Sequence, residues 1–540
     1  MTGAFLTVIS QNYAPQAKCL AESLRKHHPK SRLTICLLEE AVNADIFGNG
    51  DADIILAKDV VGPGFYDLAY KYDLTELATA IKPFAIKRLF ERGEQEVIYV
   101  DPDCYIYSPL EEVFDLLRQG ASIVLTPHAT DPISDGLQPG EIDFLRTGTF
   151  NLGFIGIRQS PETSRFLEWW SERLRDHCAF DPVAGLFVDQ KWVDLAPSFF
   201  DRVEILRHPG YNVAYWNIFQ RPISRAQGQW LARGEPLRFF HFSGLPKEDV
   251  KEVSCHQNRL SKEDIGPFFV EFETYLARLA SNGLKPDEER HYSYALHWRG
   301  QCVDSASLRS SLRKSVRPQI ESLADLQDEG RIATLLEPHP DLPADEMFPI
   351  SKLLYEAWLD RPALARQFPL FTAEGRAKFL FWVLDCGHRQ LQVDRALLPW
   401  RELTTPVPEA LGGLLPIPPL VWLAWLTDAE LRRSTQFDGE SGFGHILIEL
   451  RRQIEAGERP DWLLPDEYLS SVVIGEEGSA ITVAQYAVWQ TRPDLQHVFD
   501  LQSVQGRTAF RDWCYGESPR VEMPWMVKFV QPDAARSVAA

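Results

Sequence analysis

The chain has 540 residues, 45% of them hydrophobic and 24% charged, a globular balance too long for one ordinary core, so two or three domains are expected. Asp plus Glu number 76 against 56 for Lys plus Arg, a formal net charge of -20. Such a surface repels phosphate backbones and disfavours a general nucleic-acid role, while leaving room for one anionic small molecule held by a metal and local cations.

Residues 1–10 carry no basic stretch followed by an apolar run, so no signal peptide is expected. No transmembrane segment is expected either, because the most apolar stretch, 411–426, is interrupted by Pro416, Pro418 and Pro419. The eight cysteines are scattered without a CxxC pair, which fits reduced thiols and a cytoplasmic location, free or at the inner face of the membrane.

Residues 4–9 and 33–38 read as strands flanking a helix over 15–27, with 53–56 a third short strand. Helical spacing over 74–92 ends at Gly93. Residues 97–100 form a buried strand that runs into Asp101-Pro102-Asp103, and 122–125 form another. This alternation predicts an α/β fold with a mostly parallel sheet, whose ligands sit beyond the carboxyl ends of its strands, where Asp101 lies.

From about Lys285 the character changes. Residues 305–345 are rich in Ser, Arg and acids, and beyond them helices are broken by prolines with little strand signal. The expected organisation is an α/β domain over 1–290, a helical connector over 291–345 and an all-α domain over 346–540. The last contains an internal repeat. Tyr355, Trp358, Pro362 and Phe368 recur as Tyr486, Trp489, Pro493 and Phe499, and Gly375, Phe379 and Trp382 as Gly506, Phe510 and Trp513, all offset by 131. A weaker copy starts near Trp425, with Leu431, Phe437 and Gly442. Aromatics at helical spacing are most simply the core of a duplicated unit; a platform for a sugar chain or protein partner is the sharper reading.

Two motifs carry chemistry. Asp101 and Asp103 are carboxylates one residue apart in an extended turn, able to face one hard cation such as Mn²⁺ or Mg²⁺, which shares its sphere with phosphates. A solvated turn is the bland alternative, but here the pair interrupts the apolar runs 97–100 and 104–107, where charges need compensation. The second motif is His241, Gly244 and Lys247 in an H-x-x-G-x-x-K pattern. The imidazole can complete a carboxylate metal site, Gly permits close backbone approach, and Lys brings a point charge to phosphate.

The order Y-V-D-P-D, F-N-L-G-F, D-Q-K-W, P-G-Y-N and H-F-S-G-L-P-K resembles the GT-A glycosyltransferases related to family 8, the glycogenin- and galactosyltransferase-like enzymes. Within that group, E-L-A-T-A-I-K-P over 76–83 resembles bacterial envelope-polysaccharide transferases. The resemblance covers roughly residues 1–300. It implies a Rossmann-like GT-A fold, a nucleotide-sugar donor (a UDP-sugar favoured), and a carbohydrate, lipid-linked or protein acceptor.

It also implies site residues. Asp101, Asp103 and His241 would hold the metal, with Asp101 also at the donor; Gly244 and Lys247 would receive the diphosphate. Lys82 stands where the family has an arginine near the donor, and Tyr13 is placed to stack on the base, with Gln11 or Asn12 replacing the usual acid. Asn151 and the pair Asp189-Gln190 correspond to sugar-binding residues at the anomeric carbon, and Lys191 replaces a second acid. The relatives retain anomeric configuration, so retention is expected, with Asp189 the one nucleophile candidate.

Simpler uses stand beside these: Asn151 and Asn212 as turn residues, Asp189 as a helix N-cap, and Trp169, Trp170 and Trp192 as core. Two other function classes are a scaffold that binds partners through the repeat and a metal-dependent sugar-nucleotide hydrolase or nucleotidyltransferase. The latter needs a basic glycine-rich loop near the start, and the sequence has none there.

Overall fold

The computed structural model describes residues 3–43, 52–245, 253–284, 292–315, 319–343, 348–406, 417–435, 442–476, 478–516, 519 and 523–529. The chain divides into two compact units, Met1–Asp328 and Glu329–Ala540.

The first unit is built on β1 (Ala4–Ile9), β2 (Arg32–Leu37), β3 (Asp53–Leu56), β4 (Glu96–Val100), β5 (Cys104–Ile106), β6 (Ile123–Pro127) and β7 (Phe150–Arg158). The main sheet has seven strands in the order β3-β2-β1-β4-β7-β6, closed at its edge by Val203–Ile205. Strands β1 to β4 are parallel, and β7 alone runs antiparallel, between β4 and β6. This is the mixed, mostly parallel α/β sheet that the alternation predicts. Its central strands read as nearly continuous apolar runs because helices cover both faces: all six residues of β1, Thr7 included, are buried, as are Val97 to Val100.

Helix Leu74–Glu91 starts at an Asp73 N-cap whose carboxylate accepts from Glu76 N, while Glu76 accepts from Asp73 N, a reciprocal capping box. Helix Ala14–His27 begins with Pro15 in its first turn and ends in Arg25, Lys26 and His27, cations that suit its carbonyl end.

A second, two-stranded ribbon carries the histidine motif. Strand Phe239–His241 pairs antiparallel with β5 in the register His241↔Cys104 and Phe240↔Tyr105. Its outer side rests on an aromatic wall in which Phe242 stacks on Tyr275, ring centroids 4.1 Å apart. Burial of these rings fixes the register, and the register places His241 beside the acidic turn.

The second unit is mainly helical. Three sets of helices follow one another: Lys352–Leu359, Pro362–Gln367 and Ala373–Trp382; Pro419–Thr427, Ala429–Ser434 and Gly442–Glu455; Val483–Thr491, Pro493–Val498 and Val504–Cys514. A small hairpin, Val472–Ile474 with Ile481–Thr482, is strand where the proline-broken pattern predicts only helix and loop. Trp358 and Trp489 each donate from the indole to the carbonyl ten residues on, of Phe368 and Phe499. Arg376 and Arg507 likewise bond the carbonyls of Leu370 and Leu501 at 3.0 Å, and Thr372 and Ser503 cap Gly375 and Gly506. Each bond reappears 131 residues later. Trp425 donates to Thr435 Oγ1, also ten residues on. Phe437 lies outside the described residues.

Candidate functional site

The acidic turn leaves the carboxyl end of β4. Asp101 N donates to Gly153 O of β7 at 2.8 Å, and Phe242 N donates to Asp103 O at 2.9 Å, so the turn is tied to both neighbours. His241 Nε2 then lies 3.0 Å from Asp103 Oδ1 and 3.9 Å from Asp101 Oδ2. Ligand atoms of Asp103, Cys104 and His241 lie within 4.8 Å of one another. Burial opposes charge on His241, yet the Asp103 carboxylate holds the imidazole well above its usual range; burial likewise opposes charge on Asp103, and His241 outweighs it and lowers that carboxyl.

A cation fits here. Gly153 is the cradle: a Cβ on it would come within 2.5 Å of His241 Cε1 and 2.8 Å of both Asp101 Oδ2 and Asn151 Oδ1. These groups therefore converge over a bare backbone, and with Asp103 3.0 Å from His241 they form a donor set able to hold a divalent cation.

Amides orient the histidine. Asn212 is fully buried at φ 50°, and its Oδ1 faces His241 Nδ1 at 3.3 Å. Its Nδ2 donates to Thr126 Oγ1 and to Asn151 Oδ1, both at 3.0 Å. Asn151 Oδ1 also accepts from Gly153 N at 3.1 Å, and its Nδ2 faces His128 Nε2 at 3.3 Å. Asn212 thus takes the turn conformation while its amide faces the candidate site; Asn151 lies in strand β7, not in a turn, and its amide faces the same point. His128, stacked on Phe144 and lowered to about 4 by burial, and Trp216, edge-on to both His128 and His241, complete the wall. Sequence reasoning missed both; His128 stands one residue past the end of β6, where an α/β sheet places ligand groups, and that position was the available signal.

On the other side sits a buried ion cluster. Lys82 is 3% exposed, with Nζ 3.0 Å from Asp189 Oδ2, 3.6 Å from Asp101 Oδ1 and 2.9 Å from Leu152 O. Tyr99 donates to Asp101 Oδ1 at 2.6 Å. Burial raises Asp189 to about 6 against the pull of Lys82, whose own ammonium burial disfavours and Asp101 and Asp189 hold above its usual range. Asp189 stands at the N-cap position of helix Gln190–Val193, but its side chain makes no capping bond and turns to Lys82 instead. Gln190 Nε2 donates to Thr147 O at 2.8 Å. Trp170 is core, fully buried on Phe166, and its indole donates to Asp189 O.

Tyr13 ends the short turn Gln11–Tyr13 beyond β1 and is 38% exposed; burial and the nearby Asp103 and Asp101 push its phenol to about 12. Gly244 has φ 68°, and a Cβ there would meet His256 Cδ2 and Ser254 Oγ at 2.5 Å. Lys247 lies outside the described residues. Arg259 pairs with Asp135 at 2.7 Å and lies over Phe219. All eight cysteines are free, and among the described residues no helix is long and apolar enough to cross a membrane.

No protein-family model matches the chain. It is similar to the uncharacterized protein YfnF of Bacillus subtilis (strain 168), 26% identical over 260 residues that span 47% of this chain and 85% of that one. It is also similar to the uncharacterized protein YfnD of the same organism, 28% identical over 168 residues, 31% of this chain and 52% of that one. Among solved structures, the galactosyltransferase LgtC in complex with donor and acceptor sugar analogs aligns with 53% of this chain and 98% of its own, at 15% identity and a TM-score of 0.30. The glycosyltransferase GlyE of Streptococcus pneumoniae TIGR4 aligns with 55% of this chain and 67% of its own, at 14% identity and a TM-score of 0.32.

Proposed function

We propose that the first unit is a divalent-metal-dependent glycosyltransferase of the GT-A, family 8-related kind. It takes a sugar from a nucleotide diphosphate, a UDP-sugar in our reading, and passes it to a saccharide, lipid-linked or protein acceptor with retention. The observation that carries this is the meeting of Asp101, His241 and Asn151 over Gly153, with Asp103 Oδ1 3.0 Å from His241 Nε2. Asp101, Asp103 and His241 would hold Mn²⁺ or Mg²⁺, which when bound offsets charge on the donor diphosphate.

The chain's own residues do the rest. Tyr13 offers a ring for the base at the mouth of the site. Gly244 and Lys247 belong to the diphosphate end. Asn151 and Gln190 set the sugar hydroxyls, and Lys82 holds Asp189 beside them. With its pKa near 6, Asp189 is ionised at neutral pH, where a carboxylate can stabilise positive charge developing at the anomeric carbon or attack it. The test is nucleoside diphosphate release from UDP-, GDP- and dTDP-sugars with and without Mn²⁺. Release that is independent of the metal, or absent from every sugar, contradicts the reading.

A further inference from the structure

The motif E-L-A-T-A-I-K-P marks a family resemblance in the sequence, but its physical use is visible only in the fold. Glu76, Thr79 and Lys82 lie three residues apart along helix Leu74–Glu91 and all reach the segment 178–190. Glu76 Oε1 accepts from Phe180 N at 2.8 Å, Thr79 Oγ1 meets Cys178 Sγ at 3.3 Å, and Lys82 meets Asp189 at 3.0 Å. Tyr72, just before the helix, accepts from Cys178 N at 2.9 Å and donates to Leu174 O at 2.8 Å.

Between these anchors the segment is a hairpin, Phe180–Asp181 paired with Leu186–Phe187, and it returns through Val188. Val188 has φ 42°, a left-handed conformation that a β-branched residue adopts only when its surroundings enforce it. Val188 N donates to Ala179 O at 3.1 Å, which closes the loop one residue before Asp189. The entering end is therefore clamped by Glu76 and the leaving end by Lys82. Glu76 is 3% exposed, and its second oxygen pairs with Arg313 Nη1 at 2.7 Å, which compensates the buried charge.

We infer that Glu76 is a positioning residue: through Phe180 and the strained Val188 it fixes the place of Asp189 and Gln190 at the donor sugar. This rests on the proposed role of Asp189-Gln190, whereas the clamp itself can be read without any substrate. Glu76 contributes the one side-chain acceptor for Phe180 N, so removing it frees the entering end of the hairpin while the bonds at Cys178 and Val188 remain, and the strained turn relaxes.

The experiment measures hydrogen–deuterium exchange over 178–190 on the full chain, with kcat and KM for UDP-glucose and UDP-galactose in Mn²⁺. Glu76→Ala is expected to speed exchange there and to lower kcat about tenfold, with KM within about threefold, because misplacement acts on the reacting geometry more than on binding. Glu76→Gln, which keeps an acceptor for Phe180 N, restores most of both losses. Arg313→Met removes the ion pair but not the clamp, so exchange over 178–190 stays at the parent rate. If Glu76→Ala does not fold, Tyr72→Phe, which removes the acceptor of Cys178 N, carries the same expectation. Parent-like exchange in Glu76→Ala, or equal loosening in Arg313→Met, overturns the inference. A parent protein that turns over no nucleotide sugar defeats the transferase reading, and exchange alone then decides the clamp.

Discussion

His241 presents one ring nitrogen to Asp103, Nε2 at 3.0 Å, and the other to Asn212, Nδ1 at 3.3 Å. With a proton on Nδ1, the amide oxygen of Asn212 would accept from it and leave Nε2 to face the proposed metal. Partners of this kind fix ring orientation, and their loss costs about 10- to 100-fold in metal affinity. Asn212→Ala is therefore expected to raise the Mn²⁺ concentration for half-maximal activity by that factor. Equal Mn²⁺ dependence in the variant and the parent contradicts the assignment.

Gly153→Ala tests the cradle. The added methyl group would overlap the side-chain ends of His241, Asp101 and Asn151 at 2.5 to 2.8 Å, and any shift that relieves the overlap moves the groups proposed to face the metal. The expected outcome is a folded protein that binds neither Mn²⁺ nor UDP, measured by calorimetric titration. Parent-like binding would place the metal elsewhere.

Asp189 predicts a stability effect of definite sign. Its carboxyl is raised from 3.8 to about 6 in the folded chain. Between about pH 4 and pH 6 the folded state keeps a proton that the unfolded state has lost, so stability falls as pH rises through that window and the cost persists above it. The full cost is about 3 kcal/mol at most. Asp189→Asn removes it: relative to the parent, the variant gains urea resistance at pH 7.5 and not at pH 4, while activity drops. An equal shift at both pH values refutes the raised carboxyl.

The first and third helix sets of the second unit share a hydrogen bond from a tryptophan indole to the carbonyl ten residues on, 2.9 Å from Trp358 and 3.0 Å from Trp489. Trp358→Phe and Trp489→Phe each delete that bond, and each is expected to cost about 1–2 kcal/mol. Urea unfolding of the two variants checks it; a large cost at one position and none at the other would mean the two sets are not energetic equivalents.

Much of the site was legible because its signals are local. The acids of 101–103 interrupt an apolar strand, and His241 follows an aromatic run that could only be buried. Asn212 was less legible because its partners lie 29 and 61 residues away, at His241 and Asn151, so its turn signature was all that the sequence displayed. His128 gave even less: a lone histidine after a strand is ordinary, and only the packing of Phe144 and Trp216 makes it part of the wall. The hairpin 472–482 escaped notice because its strands are three and two residues long, too short to show alternation.

The most direct test of the central claim is the release of UDP from UDP-glucose and UDP-galactose by the full chain, titrated with Mn²⁺, in the parent and in Asp103→Ala. Release is expected to rise with Mn²⁺ in the parent and to fall by at least about 100-fold in the variant, on the scale of losing an electrostatic stabiliser. Release in Asp103→Ala at the parent rate, or in the parent without any divalent cation, would contradict it.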